Sequence, residues 1–149
     1  MPKSAAKTGF GSKFYLAAVA ANITNAGSQW GEVIALKPPS DSTDTTEVTH
    51  FESPGRYREW IKTLIDGGEA DIQVNLVPGN ATHLAMMAAS QSEDSFTYAF
   101  LIPKGAGAFW KIQGDCLVTG FDPEVPLEDR MVATARLKFT GARTEADAV

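Results

Sequence analysis

The feature that most constrains this chain is a period of two in its apolar residues, repeated in three separate segments. Ile72, Val74 and Leu76 alternate with Asp71, Gln73 and Asn75. Phe96, Tyr98, Phe100 and Ile102 share one face of a second segment. Met131, Ala133, Ala135, Leu137 and Phe139 alternate with Val132, Thr134, Arg136, Lys138 and Thr140 in a third. Successive side chains of a strand point to opposite faces, so this pattern predicts half-buried β-strands with one dry and one polar side. One segment departs from it. Asn80 can cap a helix over 81–89, with Leu84, Met87 and Ala88 on one face. The expected fold is mainly β, a sandwich or barrel of about six to eight antiparallel strands with one flanking α-helix at about 80–90.

Turn residues divide the rest. Thirteen Gly and eight Pro punctuate the chain, which suits many short strands. Strands are expected at about 11–19, at 32–37 before Pro38-Pro39, at about 44–49, and at 109–121 with a bulge or bend at Gly114. Residues 50–69 read as a long loop. Ser53-Pro54-Gly55 is a turn signal, and Tyr57, Trp60, Ile61, Leu64 and Ile65 follow at helix-like spacing until Asp66-Gly67-Gly68. The expectation is an excursion with a short helical turn, not a tight hairpin. Residues 122–129 form an acidic loop, and 141–149 look like a frayed tail. The 149 residues suit one domain, expected over 1–149 with a flexible N-terminal arm at 1–13.

Counts of a few residue types narrow the function. Cys116 is the only cysteine, so no intrachain disulfide forms, and a zinc site built on Cys/His pairs is excluded by number. Thirteen Lys+Arg against eighteen Asp+Glu leave a net charge of −5, a poor balance for gripping phosphates. No nucleophile elbow, phosphate-binding loop or dinucleotide fingerprint occurs. No apolar run approaches membrane length. An enzyme is disfavoured, and no cofactor or metal is expected.

Three segments, taken in order, carry a resemblance. The first holds Ser53-Pro54-Gly55-Arg56-Tyr57-Arg58-Glu59 and ends in Asp66-Gly67-Gly68-Glu69. The second is the strand from Ile72 to Leu76 followed by Pro78-Gly79-Asn80. The third is Gly120-Phe121-Asp122-Pro123, with Pro126-Leu127-Glu128-Asp129 and the strand to Gly141. Together they resemble the tail tube (major tail) proteins of long-tailed, non-contractile bacteriophages, over roughly residues 28–141. The resemblance implies a β-sandwich whose copies form hexameric rings that stack into a hollow tube. It implies a tape-measure protein in the lumen, a tail terminator and distal tip proteins at the ends, and DNA passing through without specific binding. The expected location is the virion tail, assembled in the bacterial cytoplasm. Some family members carry a further C-terminal immunoglobulin-like domain, which this chain is expected to lack.

Residues 1–21 fit two descriptions: a short signal peptide, or a basic arm leading into the first strand. The resemblance favours the arm.

On this reading the contact between rings or subunits falls to Arg56, Tyr57, Arg58, Glu59 and Trp60, since aromatics and Arg dominate interfaces. Capping of the domain's own core by Trp60, Ile61 and Leu64 is the alternative. Lys3, Lys7 and Lys13 form a stacking arm that could meet the acidic loop residues Asp122, Glu124, Glu128 and Asp129. Asp71, Gln73 and Asn75 are expected to face the lumen, together with the polar face of 109–115. Arg136 and Lys138 are expected to pair with Asp71 or Asp115 across strands. Other readings stay open. One is the tube of a related injection system, such as a type VI secretion tube. Another is a small-ligand or sugar-binding barrel using Trp30, Trp60 and Trp110. A third is an enzyme built on His83 or Asp129.

Overall fold

The structure, a computed structural model, describes residue 4 and residues 8–18, 29–105 and 107–148. Eight strands and one α-helix occur among them: β1 (Lys13–Ala17), β2 (Val33–Ala35), β3 (Ser42–Glu47), β4 (Trp60–Asp66), β5 (Glu69–Asn75), α1 (Ala81–Gln91), β6 (Phe96–Gly105), β7 (Ala108–Glu124) and β8 (Val132–Ala148). Six strands form one antiparallel sheet in the order β1-β6-β7-β8-β5-β2, and β3 and β4 pair separately.

The sheet curls into a half-barrel. Its two edge strands, β1 and β2, are tied to the ends of one short connection. Gln29 bridges to Tyr15, and the Trp30 amide donates to the Phe14 carbonyl at 2.9 Å. Val33 already pairs with Val74 on the other edge. Three residues reach at most about 11 Å, so the two edges face each other across a narrow seam.

The period of two places the core inside the curl. Ala70, Ile72 and Val74 of β5, and Ala133, Ala135, Leu137 and Phe139 of β8, are buried. Phe14, Tyr98, Phe100, Ile112, Cys116 and Val118 join them from β1, β6 and β7. Phe14 meets the Trp30 ring edge-on at 5.2 Å, and Tyr98 meets Phe139 at 4.9 Å. Each such side chain is worth roughly 1.5–3 kcal/mol on burial. The helix adds Met86 and Ala89 to the same core.

Four expectations need correction. Residues 60–66 are a strand, not a helical turn; the helical element there is a 3-10 turn at Pro54–Arg56. The segment 141–148 is not frayed: β8 continues to Ala148, where it pairs with Phe109 at the start of the long β7. The buried face of α1 is His83, Met86 and Ala89, while Leu84 and Met87 are exposed. β7 also runs to Glu124, so Asp122 and Glu124 lie on a strand and only the remainder of the acidic segment is loop. Gly114 stands opposite Tyr98, where a Cβ would lie 2.8 Å from the phenol oxygen. The register between β7 and β8 shifts at this point, between Gln113 and Asp115.

The alternation gives a paired prediction. Ile72→Ala should lower unfolding free energy by about 2–5 kcal/mol. Its neighbour Gln73→Ala should change it by no more than about 0.5 kcal/mol. Urea denaturation of the two variants measures this, and equal effects would contradict the assignment of faces.

Candidate assembly interface

Outside the half-barrel stands the β3–β4 hairpin. Every residue of β4 is exposed. The register with β3 sets Trp60, Lys62 and Ile65 opposite Glu47, Thr45 and Thr43 on one face and Ile61 opposite Thr46 on the other, the extra β4 residue between Lys62 and Ile65 interrupting the alternation. Leu64 is 79% exposed and Ile65 68%. Beyond the strands, Phe51 and Tyr57 are exposed as well. A lone two-stranded hairpin is marginal in water, and an apolar surface of this extent marks an interaction site.

The hairpin's tip is built by a closed set of polar contacts. The Ser53 hydroxyl accepts from the His50 amide at 3.0 Å and donates to the Glu59 carboxylate at 2.8 Å. The Glu59 amide donates to the Thr49 hydroxyl at 2.8 Å, and that hydroxyl donates to Glu47 at 3.0 Å. His50 Nδ1 accepts from the Glu52 amide, and its Nε2 lies 3.6 Å from Glu59. Gly55 and Arg56 both take left-handed backbone angles, φ 62° and 65°. Glycine does so readily; for Arg it is uncommon. The Tyr57 ring packs on Gly55, where a Cβ would meet it at 3.1 Å. Ser53, Thr49, His50 and Glu59 thus bond one another while Phe51 and Tyr57 are exposed. Such preorganisation lowers the cost of docking.

The proposed contact residues therefore separate. Arg56, Tyr57 and Trp60 are presented to solvent. Arg58 lies 3.8 Å from Glu47 of the same hairpin. Glu59 serves the tip's own network, so its carboxylate is committed inside the loop. The alternative in which Trp60, Ile61 and Leu64 cap the domain's own core fails, since all three are exposed, and Phe51 and Ile65, outside the expected contacts, are exposed with them. Their apolar character was the available signal.

The other predicted sites are dispersed. Asp71 and Gln73 lie on the exposed face of β5, while Asn75 is half-buried with its Oδ1 shielded from water and without a partner. Arg136 pairs with Asp122 at 3.2 Å, and Lys138 with Asp66 at 3.4 Å, rather than with Asp71 or Asp115. Gly120 explains the first: the Arg136 stem runs over it, with Cδ 3.8 Å from where a Cβ would stand. The guanidinium is thereby led along β7 to Asp122. Asp115 instead accepts from Thr97 at 3.2 Å. Glu124, Glu128 and Asp129 are exposed beside Val125 and Leu127, which are 69% and 98% exposed. Lys13 sits over the Phe109 ring at 5.3 Å, whereas Lys3 and Lys7 lie outside the described residues.

The sites for the competing readings do not assemble. Trp30 is a core residue, so the three tryptophans form no common platform. His83 is buried in the core, within ring contact of Trp30 and Phe121, and its Nδ1 accepts from the Val77 amide at 3.4 Å. Cys116 is fully buried, and burial, with a smaller contribution from the Asp115 charge, pushes its thiol up to about 12. Among the described residues no group of three or more His, Cys, Asp or Glu could hold a metal ion. No helix among them is long and apolar enough to cross a membrane.

Residues 16–146 match the family model of the lambda phage tail tube protein. The chain belongs to that family. Tail tube proteins are structural components of the tail. The fold is also that of a chain in the virion of a native gene transfer agent particle, at TM-score 0.67 and 16% identity, covering 95% of this chain and 99% of that one. The SPP1 tail tube matches at TM-score 0.59 and 13% identity, covering 93% and 77%. A chain of the anti-feeding prophage baseplate matches at TM-score 0.63 and 10% identity, covering 99% and 97%. No curated protein matches the chain in sequence.

The burial of Cys116 is directly testable. A thiolate-selective reagent such as Ellman's should leave the folded protein unmodified at neutral pH and titrate one thiol after denaturation. Rapid labelling of the native protein would contradict the buried placement.

Proposed function

We propose that this chain is the repeating subunit of a phage tail tube, with six copies closing a ring and rings stacking through the β3–β4 hairpin. The observation that carries the reading is the hairpin: apolar on both faces of β4, preorganised at its tip, and outside the core of its own subunit. A head-to-tail contact joins two different surfaces and so generates rings or open filaments. A second copy supplies the missing cover.

In this reading the lumen holds the tape-measure protein during assembly and later conducts DNA. The tail terminator and the distal tip proteins meet the two ends of the tube, and the subunit has no catalytic role. Asp71 and Gln73 line the lumen. The Arg136–Asp122 pair supports this, because it neutralises a cation on the polar face and leaves Asp71 and Glu124 to set the sign. A wall with excess Lys and Arg would hold the passing phosphates; a negative one lets the duplex slide. A second reading, the tube of a related injection system, draws on the anti-feeding prophage likeness. The family match favours the phage tail.

Negative-stain imaging of the concentrated protein should show rings or hollow filaments. Tyr57→Ala with Arg58→Ala alters two exposed tip residues, so circular dichroism should stay that of the wild type while tubes disappear. Normal tubes from the double variant would remove the tip from the ring contact. Deleting residues 2–8 should slow tube growth if the basic arm meets the acidic segment of a neighbour. Unchanged growth would sink that pairing.

A further inference from the structure

The root of the hairpin is built differently from the rest of the molecule. The arm joins the half-barrel through two irregular connections, at 36–41 and at Gly67-Gly68. Gly68 is left-handed at φ 78°, and a Cβ there would meet the Ser40 carbonyl oxygen at 3.2 Å. A Cβ on Gly67 would meet the Phe139 Cβ at 3.1 Å. A Cβ at either position would be crowded, and two adjacent glycines make a short hinge.

Polar tethers cross this hinge. Arg143 of β8 reaches from the half-barrel to Asp41, just before β3, and also binds Glu145 of its own strand at 3.1 Å. Lys138 of β8 reaches Asp66, the last residue of β4. The Phe139 amide donates to the Gly68 carbonyl at 3.1 Å. Asp66 also accepts from the Gly68 amide at 2.9 Å, so one carboxylate fixes both the turn and the tether. Each strand of the arm is thus fastened to β8 by one ion pair.

Apolar packing does not do the same work. An open groove of about 680 Å³ runs between the arm and β8, lined by Leu64, Ile65, Tyr98, Phe139 and Arg143. Leu64 and Ile65 stay more than two-thirds exposed, although Phe139 lies across the same groove. The arm is held off the half-barrel by charged struts over an unfilled apolar gap.

We propose that Arg143–Asp41 and Lys138–Asp66 form an electrostatic latch that sets the angle of a hinged arm and keeps this groove open in the free subunit. Exposed ion pairs are individually weak and screened by salt. The latch therefore holds the arm in one presentation yet yields when contacts with a second copy outweigh it. This rests on the arm being the docking element, but the latch belongs to the single subunit and can be measured there.

The experiment is a spin-label distance between the arm's tip and the half-barrel. Glu52→Cys and Glu128→Cys are both exposed sites, and Cys116 is buried. The full chain is kept below its assembly concentration. At low salt the distance distribution should be narrow. Arg143→Ala combined with Lys138→Ala should broaden it or shift it shorter, as should about 1 M salt, where screening acts within roughly 3 Å. The exchange Asp41→Arg with Arg143→Asp should restore the narrow distribution at low salt, which a general loss of structure would not allow. An unchanged distribution in the double variant and in high salt would overturn the latch, as would failure of the exchange to restore it. Imaging the unlabelled wild type at high concentration separates the two ideas. Broadened distances in the latch variant together with a wild type that never forms tubes would keep the latch and remove the tube reading.

Discussion

The half-barrel depends on the closure of one seam. A six-stranded sheet leaves two edges and one apolar face, and that face stays dry only if the sheet curls far enough to cover itself. Trp30 achieves this locally. Its amide is bonded to β1, its ring stands edge-on to Phe14, and three residues later the chain pairs with β5 on the opposite edge. The helix α1 packs against β7 and adds Met86 and Ala89 to the same core. Every later feature of the molecule follows from a core already filled by these elements.

The hairpin is the first consequence. With the interior occupied by residues of β1, β5, β6, β7, β8 and α1, no apolar space is left for Trp60, Ile61, Leu64 and Ile65. They make β4 apolar on both faces, while its partner β3, Ser42–Glu47, is polar throughout. This also explains where the sequence was legible and where it misled. Strands with one dry face, such as 71–75 and 132–139, announce themselves by alternation. A strand with apolar residues on both faces does not alternate, and its residues at 60, 61, 64 and 65, with Tyr57 before it, imitate the i, i+3, i+4 spacing of a helix.

The other misreadings have equally local causes. Residues 141–148 are polar and end in small side chains, so nothing in them signals a strand. They are ordered by the length of β7, whose residues 109–113 need partners that β8 supplies. On α1, counting Leu84 and Met87 as the buried face puts the helix a fraction of a turn out of phase. His83 takes the inward position instead, which apolar counting cannot find because imidazole scores as polar. The ion pairs also depart from the cross-strand expectation. Asp71 does stand opposite Arg136, but the bare surface of Gly120 offers the guanidinium a smoother path to Asp122.

An exposed apolar arm carries a hazard, since an unpaired hairpin edge and a sticky face would bind other copies in any register. The charges on and around the arm answer it. Glu47, Lys62 and Asp66 lie on β3 and β4 among the apolar residues, and the register slips by a bulge between Thr43 and Thr45. Charged edge residues and bulges are the means by which natural sheets reject indiscriminate pairing. A net charge of −5 adds a general repulsion between copies that a correctly seated interface must overcome. If rings stack through the arm as proposed, the contact requires apolar cover and charge matching together. The acidity that makes the chain unfit to grip a phosphate backbone thus also raises the threshold for association.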